Sequence, residues 1–266
     1  YSNKQQFIID KIKQTFTGSP ATYWGQRYEQ IATEIYERKY NRNIIEFGLL
    51  THDKLQWLAA SPDGISEDGI MLEIKCPYRR KITGIPPLYY YQQVQIQLEV
   101  ADLEVCDFLE VEFVEIASMD EFLDDTLQDQ EVEYKGLYLQ IETVPDDFAT
   151  RKYVYPPKEL FNDVIGLNTW ANSNIEDVVI NNNYNIIKKY ENSVVCKTRS
   201  YQKINIRIVY WKSQVISVVP IKRDREWFNN IKTFLKDEWD DVLEQKDKYK
   251  DNIDLIKITN DDICLF

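Results

Sequence analysis

The chain has 266 residues, 44% of them hydrophobic and 13% aromatic, and a formal net charge of −12. That length suits one large domain or a domain with an appendage, and the composition predicts a folded globular protein and excludes general disorder. No apolar run approaches the roughly 20 residues that span a bilayer, and no signal-peptide pattern opens the chain, so an intracellular protein with no membrane partner is expected.

In chain order, Ser2 to Phe16 reads as a helix. Thr22 to Tyr40 reads as a stronger one, with Tyr28, Ile31, Ile35 and Tyr36 near helical spacing. Ile44 to Leu50 and Leu55 to Ala60 have strand composition, Ser61-Pro62-Asp63-Gly64 is turn chemistry, and Ile70 to Cys76 is a short strand behind the Asp68-Gly69 turn signal. Leu88 to Val100 fits two periods. Val94, Ile96, Leu98 and Val100 alternate with polar residues and favour a strand, whereas Tyr89, Gln93, Ile96 and Val100 fit a helical face. Val105 to Ile116 and Leu137 to Val144 are strands, and Pro156-Pro157 marks a break. Lys203 to Pro220 reads as two strands around Lys212-Ser213, and Asp224 to Lys246 as an amphipathic helix burying Trp227, Ile231, Phe234, Leu235 and Val242. Residues 145–160 are a candidate boundary, unless the late strands join the same sheet.

The acidity is unevenly placed. Residues 82–134 hold 14 of the 44 acidic residues and no Lys or Arg, which leaves 30 acidic against 32 basic residues elsewhere. Asp120 to Glu133 reads as a solvated acidic loop, so the rest of the surface can carry a basic face. Cys76, Cys106, Cys196 and Cys264 form no C-x-x-C pair, which fits a reducing compartment. His52 is the single histidine, which argues against a His-rich zinc site and a Ser-His-Asp triad.

The segment that carries chemistry is Ser61 to Lys75. Glu73 and Lys75 lie two apart on one strand and share a face, while Ile70, Leu72, Ile74 and Cys76 take the other. A hairpin through Asp68-Gly69 returns Glu73 toward Asp63. Two close carboxylates repel unless one takes a proton or a cation binds between them, and Mg2+ accepts two carboxylates and a carbonyl while keeping several waters. A lysine beside them can orient or deprotonate a water, or stabilise charge on a phosphorane-like transition state. Phosphodiester hydrolysis needs these functions.

Pro62-Asp63 followed by Glu73-Ile74-Lys75 matches the PD-(D/E)XK nuclease signature. Ser61-Pro62-Asp63-Gly64, Glu73-Ile74-Lys75-Cys76-Pro77, Tyr90-Tyr91-Gln92-Gln93-Val94-Gln95 and, upstream, Trp24-Gly25-Gln26-Arg27-Tyr28-Glu29 together resemble the YqaJ-like viral recombinase group, to which the phage lambda exonuclease belongs. The resemblance covers about residues 22–116.

The resemblance implies an α/β (α+β), restriction-endonuclease-like fold: a central mixed sheet flanked by helices, in a single domain that residues 145–266 extend. It implies Asp63, Glu73 and the Ile74 carbonyl as metal ligands. Glu29 would approach from its helix, Lys75 would be the catalytic lysine, and Gln93 the active-site glutamine with Tyr90 beside it. It also implies a helix over Leu88 to Val100, with Tyr90, Gln93 and Gln97 on one face. Arg79, Arg80 and Lys81, with Arg27 as a weaker candidate, are expected to contact the DNA backbone. The group's Arg and Ser/Thr segment upstream of the Gly-Glu helix has no match in residues 1–23. The expected activity is hydrolysis of double-stranded DNA from its ends, 5′→3′, with Mg2+ or Mn2+, in recombination, repair or viral genome processing. The expected partners are double-stranded DNA, a single-strand annealing protein and further copies of the chain. An endonuclease on the same fold and a non-catalytic DNA-binding scaffold are the alternatives.

Overall fold

The computed structural model describes residues 4–13, 18–124, 133–144, 147–182, 184–190, 192–198 and 202–252. Helix α1 (Lys4–Lys13) precedes α2 (Pro20–Tyr40). The start of α2 is set locally. The Ser19 side chain accepts the Thr22 N–H, the Thr22 hydroxyl accepts the Ser19 N–H, and Pro20 stands where its missing N–H costs nothing. Asn41 ends the helix in the left-handed region, at φ 51°.

The next stretch departs from the strand reading. Residues 44–60 form only β1 (Ile44–Ile45), β2 (Leu50–Thr51) and β3 (Ala59–Ala60), because Gly48 turns the chain at φ 65° and Leu49 faces solvent. Then come β4 (Gly64–Ser66), β5 (Met71–Lys75), helix α3 (Leu88–Ala101) and β6 (Val105–Ile116). Residues 88–101 are therefore helical, and the period-2 alternation misleads: both flanking faces of α3 are covered, so polar Gln95 and Gln97 are buried along with Val94 and Leu98. The remaining elements are α4 (Met119–Asp124), β7 (Lys135–Glu142), β8 (Lys152–Val154), α5 (Val164–Asn181), β9 (Asn185–Tyr190), β10 (Ser193–Lys197), β11 (Lys203–Lys222) and α6 (Arg225–Tyr249). Of these, β8, α5, β9 and β10 lie where the sequence reading placed nothing.

Among the described residues nine strands form one mixed sheet in the order β1-β4-β5-β6-β11-β10-β9, with β7 on the other edge of β11 and β8 beside it. The late strands thus join the sheet of the motif-bearing segment. Among the described residues only β5 and β6 pair in parallel, joined through α3 in the β-α-β crossover that parallel neighbours require. The two strands expected around Lys212-Ser213 are one. Those polar residues mark a bulge, where β11 passes from β7 to β6. Ser213 is buried there because it exchanges bonds with the Tyr134 backbone at 2.8 and 3.0 Å.

Helix α2 covers one face, packing Tyr28, Ile31 and Ile35 on Leu72, Ile74, Leu109 and Val111. Helices α3 and α5 lie side by side on the other face. The first covers Met71, Cys106 and Phe108, and the second covers Leu137, Leu139 and Ile206. Helix α6 packs outside α3 and buries Phe228, Leu235 and Val242, a stripe at seven-residue spacing. Phe234, expected in that stripe, is exposed because one residue turns the helix by about 100°. No helix among the described residues is long and apolar enough to cross a membrane.

Candidate active site

The β4–β5 hairpin places the acids. Gly69, at φ 81°, and Ser66, bonded to the Ile70 backbone, make the turn, and the register runs Ile65 to Met71 and Gly64 to Leu72. Gly64 is required by close packing: a Cβ there would meet the Ile44 side chain at 2.2 Å. Pairing with β4 stops at Leu72, so the next backbone groups of β5 on that side are open. The Asp63 side chain fills the gap, its Oδ2 accepting the Ile74 N–H at 2.6 Å. In an extended strand the N–H and C=O of one residue point the same way, so the Ile74 carbonyl opens toward Asp63 as well.

Glu73 leaves β5 on the α3 face and is almost fully buried, 1% exposed. Burying a carboxylate requires donors on all sides, and three are present. Oε1 accepts from Gln93 at 2.8 Å and from the Lys75 ammonium, and Oε2 accepts from Gln97 at 2.7 Å. Gln97 also donates to the Ser61 carbonyl at 3.3 Å, tying α3 to the segment before Asp63. Lys75 lies 5.0 Å from the ring centroid of Tyr90, which stands one helical turn before Gln93.

The electrostatics follow from this crowding. Burial, and then the charge of Glu73, push the Asp63 carboxyl up to about 7, although Lys75 and the Ile74 N–H act against the rise. Partial desolvation at the cleft wall likewise raises Glu29, although its surface stays open to solvent. For Lys75 burial alone would favour the neutral amine, but Glu73 and Asp63 outweigh it and hold the group as an ammonium. Lys75 in this arrangement is a hydrogen-bond donor and a positive charge. The neighbouring Cys76 thiol is pushed far up by burial, which removes it as a nucleophile. His52 accepts the Lys54 N–H and approaches Glu99, away from these groups.

An open cleft of about 560 Å³ runs along the site, lined by Glu29, Asp63, Ile74, Lys75, Arg79, Arg80 and Tyr90 among others. The structure thus brings together Glu29, Asp63, Glu73, Lys75, Gln93 and Tyr90. Glu29 is exposed on α2 at the cleft wall. Arg79 is exposed and lies over Tyr78, and Arg80 is paired with Glu110. Lys81 is exposed but outside the cleft lining.

Arg27 is the exception. Tyr28 and Arg27 are the residues of their turn that face the sheet, so Arg27 is buried, bonded to Glu115 at 2.5 Å and flanked by Trp24 and Tyr153. It supports α2 from within and has no outward face for a DNA backbone. Conversely, Gln97, placed by the resemblance on the face of Tyr90 and Gln93 but given no role, bonds to Glu73, and Glu110, not singled out in the sequence, bonds to Arg80. Gln97 was detectable as the residue four after Gln93. Glu110 was detectable only as an acid inside the apolar run Phe108-Leu109-Glu110-Val111.

The hard-oxygen acceptors here are Asp63, Glu73, whose charge acts on Asp63, and the Ile74 carbonyl. Among the described residues no three acidic, Cys or His side chains form a closed metal cage. The set is instead all hard oxygen and partial, which suits a cation that keeps its own waters. Asp63 uses only Oδ2 on the Ile74 N–H, and the burial and Glu73 charge that raise its carboxyl are penalties that a divalent cation would relieve. The residues present therefore fit Mg2+.

Residues 1–104 match the YqaJ-like viral recombinase domain. Over 293 aligned residues the chain is 30% identical to an uncharacterized protein of Acanthamoeba polyphaga mimivirus, with 97% of this chain and 50% of that protein covered. The chain therefore spans about half the length of that curated relative. Among solved structures it is similar to the alkaline exonuclease LHK-Exo of Laribacter hongkongensis, at 17% identity and a TM-score of 0.44, covering 94% of this chain and 81% of that one. The complex of LHK-Exo with dAMP gives 18% identity and a TM-score of 0.46, covering 92% and 80%.

Proposed function

We propose that the chain is a Mg2+-dependent deoxyribonuclease that degrades double-stranded DNA from its ends, 5′→3′. The observation that carries this reading is the cluster of Asp63, buried Glu73 and the Lys75 ammonium at one open cleft, which Asp63 and Lys75 line together with cationic and aromatic residues. Asp63, Glu73 and the Ile74 carbonyl would hold the metal, with Glu29 assisting from α2, directly or through water. Mg2+ there supplies polarisation of a phosphoryl oxygen and a more acidic water. Mn2+ meets the same ligand chemistry.

The chain's own residues do the rest. Gln93 and Gln97 fix the Glu73 carboxylate so that it cannot rotate away. Lys75, held protonated, donates to the charge that grows on the phosphoryl oxygens during attack, where a preplaced donor acts most strongly. Tyr90 packs under the ammonium and limits the water around it. Arg79 and Arg80 hold the DNA backbone beside the scissile bond. The order Glu29, Asp63, Glu73, Lys75, Gln93 resembles an end-directed exonuclease, which supports action from ends in recombination, repair or viral genome processing. A single-strand annealing protein and further copies of the chain are the protein partners that fit such a role.

Linear duplex labelled at either 5′ or 3′ terminus, incubated beside a covalently closed circle with and without Mg2+, tests the reading. Release of the 5′ label first, survival of the circle and no cleavage in EDTA are expected. Nicking or linearisation of the circle that disappears in Glu73→Gln would make the protein an endonuclease instead.

A further inference from the structure

Three cations follow the β5 strand in the loop at residues 79–81, and the fold treats them differently. Arg79 and Lys81 are exposed, and the Arg79 guanidinium rests on Tyr78. Arg80 is tied to the centre of the sheet. Its Nη2 donates to Oε1 of Glu110, a residue of β6 that is fully buried and sits beside Lys75 in the parallel register. The other oxygen of Glu110 is buried with no hydrogen-bond partner. A carboxylate in that position is costly unless a cation pairs with it, so Glu110 holds Arg80 strongly. The guanidinium then lies 5.7 Å from the centroid of the Tyr90 ring, the ring that Lys75 also faces at 5.0 Å. The Arg80 side chain is still 31% exposed and lines the cleft, so some of its five N–H donors remain for a ligand.

We propose that Glu110 is a positioning residue: from the buried centre of β6 it fixes Arg80 over Tyr90 beside Lys75, so that Arg80 meets the phosphate under attack, while Arg79 and Lys81 only strengthen DNA binding. The inference rests on the nuclease reading and adds to it a division of labour within the loop. An exposed arginine must be ordered by its substrate in each turnover. Arg80 is ordered before the substrate arrives, and a preplaced donor is the kind that lowers a barrier. Glu110 itself is sealed from the cleft and acts only through Arg80.

The test is a double-mutant cycle read in single-turnover cleavage of linear duplex. Arg80→Ala should slow cleavage by about 10²-fold, the range for loss of one charge-stabilising donor. Arg79→Ala and Lys81→Ala should weaken DNA binding, and at saturating protein should slow cleavage less than Arg80→Ala does. Glu110→Gln should slow cleavage on the order of 10-fold when Arg80 is present and have no effect in the Arg80→Ala background, as expected for residues acting as one unit. Glu110→Asp, which keeps the charge and withdraws it by one methylene, should follow the same pattern if the glutamine variant does not fold. Guanidinium ion at sub-denaturing concentration should restore part of the rate to Arg80→Ala, and none to the double variant that has lost the anchor. Slowing by Glu110→Gln or Glu110→Asp that persists in the Arg80→Ala background would show Glu110 to be merely structural and overturn the proposal. So would an Arg79→Ala or Lys81→Ala effect on rate larger than that of Arg80→Ala. Glu73→Gln, run alongside, separates the two failures: cleavage that survives it overturns the nuclease reading, and this inference with it.

Discussion

Helices α3 and α5 cover neighbouring parts of one sheet face and solve the same packing problem differently. Under α5 the contact is mainly aliphatic. Leu167, Ala171, Ile175 and Val179, four apart along the helix, meet Leu137, Leu139, Ile206 and Ile208. Under α3 the sheet presents Glu73 and Glu110, and the helix answers with buried Gln97. Gln95, buried beside it, is spent on the start of α6: its amide donates to the Lys222 carbonyl at 2.8 Å and accepts the Asp224 N–H at 2.7 Å. Each polar group there has a partner that the hydrocarbon layer does not need, and some atoms have none: Oε2 of Glu110 and Oε1 of Gln97 are buried without one. The difference teaches that the layer under α5 stabilises the fold while the layer under α3 gives up stability to preorganise charge.

The sharpest break between the layers is expected at Glu73. Glu73→Ala should take cleavage to background, and Lys75→Ala should lower turnover by about 10²–10⁴-fold while DNA affinity changes little. Single-turnover rates and binding isotherms on the same duplex measure both. Loss of affinity at an unchanged rate in Lys75→Ala would make that lysine a clamp. A truncation under α5 should do the reverse. Leu167→Ala should cost about 2–5 kcal/mol of folding stability through the cavity it leaves, with the rate per folded molecule unchanged, as denaturant melts and active-site titration would report. Equal damage to rate and stability there would mean that the two layers act as one.

The smallest expected effect is also the most diagnostic of stability given up. The Asp63 carboxyl, raised to about 7, is bound more tightly to its proton in the folded chain than in the unfolded one. Its contribution to stability is therefore complete below the ordinary carboxylate range and is lost as pH rises through about 7. Asp63→Asn stays neutral at every pH. Without metal it should melt higher than wild type above that pH and equal to it in acid, by about 2–4 °C for each kcal/mol relieved. A variant that melts lower at alkaline pH would place Asp63 among the stabilising groups, and the contrast between the layers would fail at its centre.

By itself the sequence determined the parts whose causes are local or periodic. The α2 helix was legible from its heptad-like stripe, the β5 face from the two-residue spacing of Glu73 and Lys75, and the hairpin from Asp68-Gly69, because each follows from the geometry of a single element or turn. The helical state of residues 88–101 came from the motif resemblance and not from the period, since a segment covered on two sides buries polar and apolar residues alike and blurs either pattern. The tertiary structure alone decided the rest. It made one strand of Lys203–Lys222, because a polar pair can be a bulge when a neighbouring strand supplies its partners. It turned Arg27 inward onto Glu115, chose Arg80 from three adjacent cations, and gave Glu110 its charge partner 30 residues away. Whether a charged side chain meets solvent or a buried counter-ion depends on what a remote segment brings to it, and the side chain's own place in the chain carries no record of that.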